Sequence, residues 1–413
     1  MTRVDLNAVV AAAPARVVVT RDAAGGVREA AFDLSGLPRV DALLTGRPVT
    51  EVPGLVERLC SICPVVHHLA GVRALESLAG VTVPPTAQAV RRLLHHAGVI
   101  GVHAMGLFAA APAAAVTLRR FAKAVQAATG SPGHFPVTAV PGGVVAPVDG
   151  AQVAVLREAV PGAVAAAQAV ADQCDGRVAP EFGGADLALV DETGGLDLFG
   201  VRLRAVAADG AVLVPAALPA QWDDLVAETR PGETDPRPYL VGLGPAAGSY
   251  RVGPVAQLRV GTVSTPLAAG RQQAWATRGG AEAARAIVTL HAVEVIAALL
   301  DDPALTAGTT AAPWPAVLPA GVGVGWVDGA RGLLIHRYAT TADARVAAAT
   351  ILTPTAQNEA WLGSLLASAV AADSPEAARH GVEAAIREAD PCLPCATAAP
   401  GSMDLVVDQI KAG

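Results

Sequence analysis

The sequence predicts a mostly helical α+β fold, with a core bundle of long helices and β hairpins at its periphery. Three observations predict it: long segments repeat apolar residues at three- and four-residue steps, short β-branched runs flank turn residues, and no internal repeat is present. A chain of 413 residues is long enough to bury one large core. We therefore expect a single domain over residues 1–413.

The first predicted element is a hairpin over Arg16–Leu34. Within it, Val17–Thr20 is a β-branched run, and Asp22–Gly26 supplies the residues of a turn before the chain returns. A second hairpin is expected around Val201–Val214, where Asp209 and the following glycine form the turn. Both hairpins are expected at the edge of the helical core.

Long helices account for most of the remaining chain. Apolar residues recur with helical spacing over Thr86–Leu107, and the next helix runs over Pro112–Thr129 with Gly130 as its C-cap. Ser374 is placed to cap the last helix, which begins at a proline. The alternating glycines of Gly321–Gly325 lack the complete pattern of a nucleotide-binding loop and predict a tight turn. The other predicted helices are Gln152–Cys174, Ala281–Leu300, Ala356–Ala371 and Pro375–Ala389.

Composition excludes two large classes of protein. With 30 basic and 37 acidic residues and a formal charge of −7, the chain lacks the basic surface of a nucleic-acid-binding protein. The mean hydropathy of +0.44 comes mostly from alanine and valine, and no run reaches about twenty strongly apolar residues, so no membrane span is predicted. The first residues lack the pattern of a secretory signal, and the chain is expected to be cytoplasmic.

The most informative feature is two pairs of cysteines at opposite ends of the chain. Cys60 and Cys63 form one CxxC pair, and Cys392 and Cys395 form the other. Thiolates are soft ligands, so the four predict a buried metal site, with zinc, iron and nickel all open. Zinc knuckles keep their pairs about 15–20 residues apart, whereas more than three hundred residues separate these two. The site must therefore form inside a large core, while the lone Cys174 is expected to be an ordinary buried thiol.

The residues around the cysteines resemble one family. Arg58 precedes the first pair, His67 follows it, and Asp390 with the next proline directly precedes the second pair. This combination resembles the large subunit of nickel–iron hydrogenases, and it is most similar to the cytosolic, cofactor-linked types. Other stretches resemble the family in the same order along the chain: Gly46–Gly54, Pro85–His103, His134–Gly143, Gly323–His336 and Thr353–Asn358.

The resemblance implies a centre of nickel and iron. Nickel would be bound by the four paired cysteines, of which Cys63 and Cys395 would also bridge to an iron that carries carbon monoxide and cyanide. Hydrogen would be split heterolytically, and Cys392, as a terminal thiolate, would take the proton. The residue types suit this chemistry, because a thiolate can donate strongly, bridge two metals and accept a proton.

The family pattern also implies roles for other residues. Arg331 would hold its guanidinium over the iron, where a fixed positive charge can polarise hydrogen. Pro354 and Thr355 would shape a pocket for cyanide, and His67 would donate a hydrogen bond to a sulfur. Outside such a motif, an arginine after glycines is ordinarily a surface charge, and a histidine in a helix is as often structural as functional.

Several positions depart from the family pattern. Asp41 stands where a glutamate normally relays the proton, and its side chain is shorter. The early carboxylate is missing from Val10–Arg16, and Ala398 replaces a C-terminal histidine; because both normally help to hold magnesium, no magnesium is predicted. The segment Ala399–Gly413 resembles an extension that a maturation protease removes. Its junction is altered, so either the protease cuts after Ala398 or the tail stays.

The predicted function is that of the catalytic subunit of a nickel–iron hydrogenase, which reversibly cleaves H2 into protons and electrons. Because no cysteines are spare, electrons would pass to iron–sulfur clusters in a separate small subunit. A diaphorase or another electron-transfer module is the expected further partner. The alternative is a catalytically silent, hydrogenase-like structural subunit of a larger redox complex, which the missing magnesium ligands favour and the retained cysteines and Arg331 oppose. A four-thiolate zinc or mononuclear iron scaffold is the third alternative.

Overall fold

A computed structural model describes residues 15–35, 41–174, 180–276, 279–372, 374–393, 396 and 401–411. Long helices form its main core and the strands form small sheets, so the predicted α+β class is confirmed. The α-helices are α1 (Val52–Val56), α2 (Pro64–Ala79), α3 (Pro85–Gly106), α4 (Pro112–Ala128), α5 (Gly150–Gln173), α6 (Trp222–Leu225), α7 (Gly244–Ala247), α8 (Pro254–Val260), α9 (Pro266–Trp275), α10 (Ala281–Leu299), α11 (Pro354–Gln357), α12 (Glu359–Val370) and α13 (Pro375–Ala389). The strands are β1 (Ala15–Arg21), β2 (Val27–Phe32), β3 (Ala139–Val140), β4 (Gly143–Val144), β5 (Ala185–Val190), β6 (Arg202–Val206), β7 (Val212–Ala217), β8 (Val226–Glu228), β9 (Pro238–Leu240), β10 (Tyr250–Arg251), β11 (Gly321–Gly329), β12 (Gly332–Thr340), β13 (Val346–Leu352) and β14 (Leu405–Lys411).

Helices α3, α4, α5 and α10 build the main hydrophobic core. They pack against one another through buried leucine, valine and alanine side chains. The predicted helices over these segments are confirmed, with ends that differ by one or a few residues. Gly130 directly follows the C-cap of α4 and adopts a φ of +87°, the left-handed conformation expected of a glycine that ends a helix.

Helix α5 is, among the described residues, the one helix long and apolar enough to cross a membrane. It contains Pro161, and it packs against α4 and α10 with a buried stripe that includes Val153, Leu156 and Val170. Its length and hydropathy are therefore accounted for by its place in the helical core, although Val155 on its other side is exposed.

Both predicted hairpins are confirmed. Strands β1 and β2 pair antiparallel, and β6 pairs with β7 through a turn at Asp209 and Gly210, where Gly210 has a φ of +88°. The second hairpin belongs to a four-stranded sheet with the order β10-β5-β6-β7. Its first strand, β5, is buried along its whole length, which ties this sheet to the body of the protein.

The C-terminal tail adds a strand that the sequence did not predict. Strand β14 pairs in parallel with β1, in register from Ala15 opposite Leu405 to Arg21 opposite Lys411. Met403 and Leu405 are buried in the main core, and the guanidinium of Arg379 donates hydrogen bonds to both of their carbonyl oxygens. Residues 401–411 are thus packed as part of the fold, while the altered junction at Ala398 lies outside the described residues.

The stretch Gly321–Gly325 is not the predicted tight turn but the start of β11. This strand lies against α2, a helix that the sequence did not reveal. A Cβ atom on Gly323 would lie 2.1 Å from the carbonyl oxygen of Ala74, and one on Gly325 would lie 2.3 Å from the amide nitrogen of Ala74. The glycines are therefore needed for the close approach of a strand to a helix backbone.

The predicted helix over Ala356–Ala371 is interrupted, so that α11 and α12 are separate helices. The break falls at Asn358, whose side chain forms hydrogen bonds with the backbone of Val252, the residue directly after β10. Its Oδ1 accepts a hydrogen bond from the amide of Val252 (2.8 Å), and its Nδ2 donates to the carbonyl oxygen of Val252 (3.1 Å). The last helix, α13, is confirmed, and Ser374 caps it by accepting a hydrogen bond from the amide of Ala377 (3.2 Å).

We predict that Gly325→Ala lowers the free energy of unfolding by about 3 kcal/mol, because the new methyl group meets helix backbone that cannot move aside. Gly321→Ala, on the same strand, is the matched control, since its Cβ would lie at 3.5 Å from Leu78, an ordinary contact. Denaturant unfolding measures both. Equal stability of the two variants would contradict the role given to close packing between α2 and β11.

Candidate metal centre

Three cysteine sulfurs from the two ends of the chain converge at one place. The Sγ atom of Cys392 lies 3.3 Å from that of Cys60 and 3.6 Å from that of Cys63. The sulfurs of Cys60 and Cys63 are 2.7 Å apart, longer than a disulfide bond, and both cysteines are free thiols. Cys395, the fourth predicted ligand, lies outside the described residues, so the structure brings together three of the four.

The first pair is held by the start of α2. Cys63 is the N-cap of this helix and Pro64 is its first residue, so the helix begins as soon as the second cysteine has been placed. The amide of Cys63 donates a hydrogen bond to the sulfur of Cys60 (3.3 Å), which folds the CxxC segment into one turn. This is the local geometry that lets two thiolates face a single ion.

Cys392 is placed by the end of α13 and by Thr355. The helix ends at Asp390, which adopts a left-handed φ of +47° and turns the chain back toward the first pair. The backbone amide of Cys392 then donates a hydrogen bond to the Oγ1 atom of Thr355 (2.9 Å) at the start of α11. Pro354, next to it, is the first residue of α11 and lines the same cavity as the three cysteines.

Arg331 sits at the tip of the hairpin between β11 and β12, in a turn that two glycines and a histidine hold. A Cβ atom on Gly253 would lie 2.8 Å from the carbonyl oxygen of Arg331, and Gly332 adopts a φ of +121°. The ring of His103 makes a 2.7 Å hydrogen bond to the carbonyl oxygen of Ala330. The backbone of the turn is thus fixed on two sides, which fixes where the arginine begins.

The guanidinium of Arg331 is buried near the cysteines, and the carboxylate of Asp390 partly neutralises its charge. Its Nε atom donates a hydrogen bond to Asp390 (3.2 Å), while its Nη1 atom is buried without a hydrogen-bond partner. Burial alone would lower the pKa of Arg331, but the negative charge of Asp390 and of the neighbouring sulfur cluster outweighs this effect and raises that pKa. Arg331 therefore stays charged, with a hydrogen-bond donor to spare.

A second arginine shares the same carboxylate. The Nε atom of Arg285 lies 3.7 Å from Asp390, and its Nη2 atom donates hydrogen bonds to the carbonyl oxygens of Arg387 and Glu388 at the end of α13. Two buried cations on one anion leave a positive charge next to the sulfurs. Nothing in the sequence pointed to Arg285, because the contact joins α10 to a helix end a hundred residues further on.

His67 lies one helical turn after Cys63 and lines the cavity. Its Nδ1 atom makes a 3.0 Å hydrogen bond to His336, so Nε2 is the ring nitrogen that remains for any other partner. Burial lowers the pKa of His67 to about 4, which keeps the ring neutral, although the charge of Cys392 opposes the shift. The predicted hydrogen bond to a sulfur stays a prediction.

The cavity that these residues share has a volume of about 410 Å³ and walls that are mostly apolar. A low-polarity wall strengthens electrostatic interactions inside it and excludes water. Asp41, the predicted relay residue, is not among the described residues that line this cavity. It begins a 3₁₀ turn over Asp41–Leu44, is partly exposed, and accepts a hydrogen bond from the amide of Ala42 (3.1 Å).

The residues present suit a thiolate-bound metal centre. Metal–sulfur bonds of about 2.3 Å to one ion place sulfurs roughly 3.3–3.8 Å apart, and the two separations that involve Cys392 fall in that range. Among the described residues, this is the group whose atoms all lie within 4.8 Å and could hold an ion. The unpaired Nη1 atom of Arg331 adds a donor for an anionic ligand of such a centre.

Hydrogen bonds among the three clustered thiols give them different pKa values. The pKa of Cys60 is held well below its usual value, because Cys392 and Cys63 donate hydrogen bonds to its sulfur. The pKa of Cys63 is raised well above that value, and the pKa of Cys392 is raised to about 11, chiefly by the same hydrogen bonds. One negative charge is thus favoured for the trio, and a metal that binds all three must displace protons. Cys174 behaves differently: burial raises its pKa to about 12, as for an inert core thiol.

Comparison with known proteins assigns the family. A family model described as nickel-dependent hydrogenase matches residues 39–110. A solved structure described as an NAD⁺-reducing [NiFe]-hydrogenase in the H2-reduced state is 30% identical, covers 92% of this chain and 95% of its own, and superposes with a TM-score of 0.80. The chain belongs to the nickel–iron hydrogenase large-subunit family. Membership in this family of oxidoreductases implies a nickel–iron centre.

Curated relatives match this hydrogenase large subunit over most of its length. The NAD-reducing hydrogenase HoxS subunit beta of Cupriavidus necator is 28% identical over 96% of this chain and 94% of its own. The vhu F420-non-reducing hydrogenase of Methanococcus voltae has a matching subunit that is 29% identical over 83% of this chain and 92% of its own. The Ni-Fe-Se hydrogenase from D. vulgaris Hildenborough, at 19% identity and a TM-score of 0.66, shares the fold.

For this hydrogenase subunit, we predict that Thr355→Val lowers the free energy of unfolding by about 1–3 kcal/mol. Valine has a similar shape but no oxygen, so the amide of Cys392 is left buried without an acceptor. Denaturant unfolding measures the change, and nickel content should fall with it. Thr355→Ser keeps the oxygen and is the matched control. If the valine variant is as stable as the serine variant, Thr355 does not position Cys392.

Proposed function

We propose that this chain is the catalytic subunit of a nickel–iron hydrogenase that reversibly cleaves H2 into protons and electrons. The observation that carries the proposal is the convergence of three cysteine sulfurs, from the two ends of the chain, in a mostly apolar cavity beside a buried, charged arginine. A structural zinc site would not require that arginine or a cavity of this size, because structural sites are closed by their four ligands.

When bound, the proposed centre would supply the metal at which hydrogen is polarised and split, with carbon monoxide and cyanide on its iron. The residues that would hold it are Cys60, Cys63, Cys392 and Cys395. On the protein side, Cys392 accepts the proton of the cleaved hydrogen at its sulfur. The Nη1 atom of Arg331, which is buried without a hydrogen-bond partner, would be available to donate to a cyanide ligand, and Pro354 and Thr355 would shape the wall of the cavity there.

Onward transfer of the proton is proposed to pass through Asp41. This residue lies outside the cavity wall and is partly exposed, so a transfer from Cys392 would need bridging water. A partly exposed carboxylate is suited to pass a proton to solvent, because water can reach it. No magnesium is proposed, because the carboxylate and histidine that hold it in relatives are absent.

Replacing the relay carboxylate tests this route. We predict that Asp41→Asn slows exchange between D2 and water protons by about 10²-fold, because an amide cannot accept and return the proton. Asp41→Glu is the matched control and should keep the exchange rate within a few-fold. Exchange that is unaffected by the amide would remove Asp41 from the mechanism while leaving the metal centre untouched.

Electrons are proposed to leave through iron–sulfur clusters in a small partner subunit. The similarity to HoxS subunit beta, part of an NAD-reducing hydrogenase, supports a further module of the diaphorase type, and we propose that the complex is cytoplasmic. A maturation protease is a further proposed partner if the tail is cut after Ala398. Because residues 401–411 pack into the fold, the mass of the purified nickel-loaded chain distinguishes a retained tail from a removed one.

A silent structural subunit is the second candidate function. The departures at Asp41 and Ala398 favour it, since each removes a group that active relatives use. Retention of the clustered thiols and of the buried Arg331–Asp390 pair opposes it, because an unoccupied cluster of buried charges and thiols destabilises a fold. Hydrogen-dependent reduction of a dye separates the two functions.

Metal analysis with infrared spectroscopy on the purified complex tests the proposal. We predict nickel and iron in the chain, and stretching bands from bound carbon monoxide and cyanide. Cys60→Ala should abolish nickel and the bands, because it removes a ligand. Cys174→Ala, which alters a buried thiol outside the cluster, should keep both and is the matched control. Zinc as the sole metal would overturn the proposed function.

A further inference from the structure

A chain of three buried side chains leads away from the thiol cluster. The Nδ1 atom of His67 is 3.0 Å from Nε2 of His336, and Nδ1 of His336 is 2.5 Å from the hydroxyl oxygen of Tyr338. None of the three is more than 4% exposed. His336 and Tyr338 are two residues apart on β12, so they point to the same face of the strand, toward α2.

Gly71 of α2 leaves room for the hydrogen bond between these side chains. A Cβ atom at this position would lie 3.3 Å from the hydroxyl oxygen of Tyr338 and 3.6 Å from Nδ1 of His336. The helix therefore covers the contact closely without displacing it. Such a covered hydrogen bond cannot exchange its partner for water, so the donor and acceptor assignments within the chain are fixed together.

The direction of the hydrogen bonds follows from the chemistry of the groups. A phenol can donate or accept, but if Tyr338 accepted from His336 its own proton would need another acceptor, and no hydrogen bond from this hydroxyl to a further group is found among the described residues. Tyr338 therefore donates to Nδ1 of His336. Burial lowers the pKa of His336 well below its usual value, so the ring is neutral and its single proton must lie on Nε2.

The tautomer of His336 in turn determines the tautomer of His67. The Nε2–H group of His336 donates to Nδ1 of His67, which can then carry its own proton only on Nε2. His67 lies one helical turn after Cys63 and lines the cavity of the cysteines. A proton on Nε2 is then the one hydrogen-bond donor that the ring of His67 can offer to this cavity, and donation to a thiolate would lower the electron density of the sulfur.

We propose that Tyr338, acting through His336, is a positioning residue that fixes the Nε2–H tautomer of His67 and so maintains a hydrogen bond from His67 to the thiolate cluster. The inference rests on the proposed function, because it assigns the tyrosine a part in tuning the nickel–iron centre. Without the phenol, His336 can turn its proton to Nδ1, and the donor toward the sulfurs is lost from part of the molecules.

Infrared spectroscopy of the purified holoenzyme complex tests this inference, with Tyr338→Phe as the variant. Loss of the hydrogen bond makes the thiolates stronger donors, so more charge reaches the iron and the carbon monoxide and cyanide bands should move to lower wavenumber. Tyr250→Phe is the matched control: it deletes another buried hydroxyl, bonded to Gln357 at 3.2 Å, and should leave the bands in place.

A double-mutant cycle separates positioning from a general loss of stability. In a His336→Phe background, Tyr338→Phe should produce no further band shift, because the effect of the phenol travels only through the imidazole. His336→Phe alone should shift the bands as Tyr338→Phe does, which keeps the test open if the tyrosine variant folds poorly. Additive shifts in the double variant would overturn the inference.

The outcomes distinguish the two levels of the proposal. Absence of the diatomic-ligand bands from the unmodified complex would overturn the proposed function and this inference with it. Bands that are present, with unchanged positions in Tyr338→Phe at normal nickel content, would overturn only the inference. A shift confined to Tyr338→Phe and His336→Phe, and absent from Tyr250→Phe, supports it.

Discussion

The meeting of two distant chain segments at one sulfur cluster is the constraint on which the rest of the structure depends. Cys60 and Cys63 belong to the turn before α2, and Cys392 follows α13, the last helix among the described residues. Their sulfurs can come within bonding distance of one ion only if the intervening core is fully folded. Two contacts support that convergence. Strand β11 packs closely on α2, which requires the glycine at position 325, and Thr355 accepts a hydrogen bond from the amide of Cys392.

Charge balance gives the site its chemical character. Two buried arginines, Arg331 and Arg285, share the carboxylate of Asp390, so the surroundings carry a positive charge that favours thiolates over thiols. A metal-free trio of sulfurs keeps only one negative charge readily, and the remaining protons must leave when an ion binds. The positive charge of the two arginines and the buried Nη1 atom of Arg331, which has no hydrogen-bond partner, suit this cavity to an anionic group.

Much of the fold could be predicted from local sequence signals, whereas contacts between distant segments could not. Helical periodicity located α3, Gly130 marked the end of α4, and Ser374 marked the start of α13, because each acts within one turn of its own helix. The two CxxC pairs were enough to predict a shared metal site, but they left zinc, iron and nickel open, and only the family resemblance indicated a nickel–iron centre. Asn358 lies between two helices and binds the backbone of Val252, about a hundred residues earlier in the chain, which no local pattern can reveal. For the same reason, the sequence placed His336 in the arginine motif but did not predict which side chains it contacts. The contacts made by Tyr338 and Arg285 were not predicted either.

The tail illustrates how a departure from a family pattern can change what a segment does. A removable extension needs an accessible junction and few contacts with the body, because its loss must not destabilise the fold. Residues 401–411 instead pair along the whole of β1, and Met403 and Leu405 contribute to the main core. Removing them would expose apolar surface and leave the edge of β1 unpaired, at a cost of roughly 25 cal/mol for each Å² of apolar area uncovered. In the described structure, residues 401–411 therefore stabilise the fold by pairing β14 with β1 in one sheet.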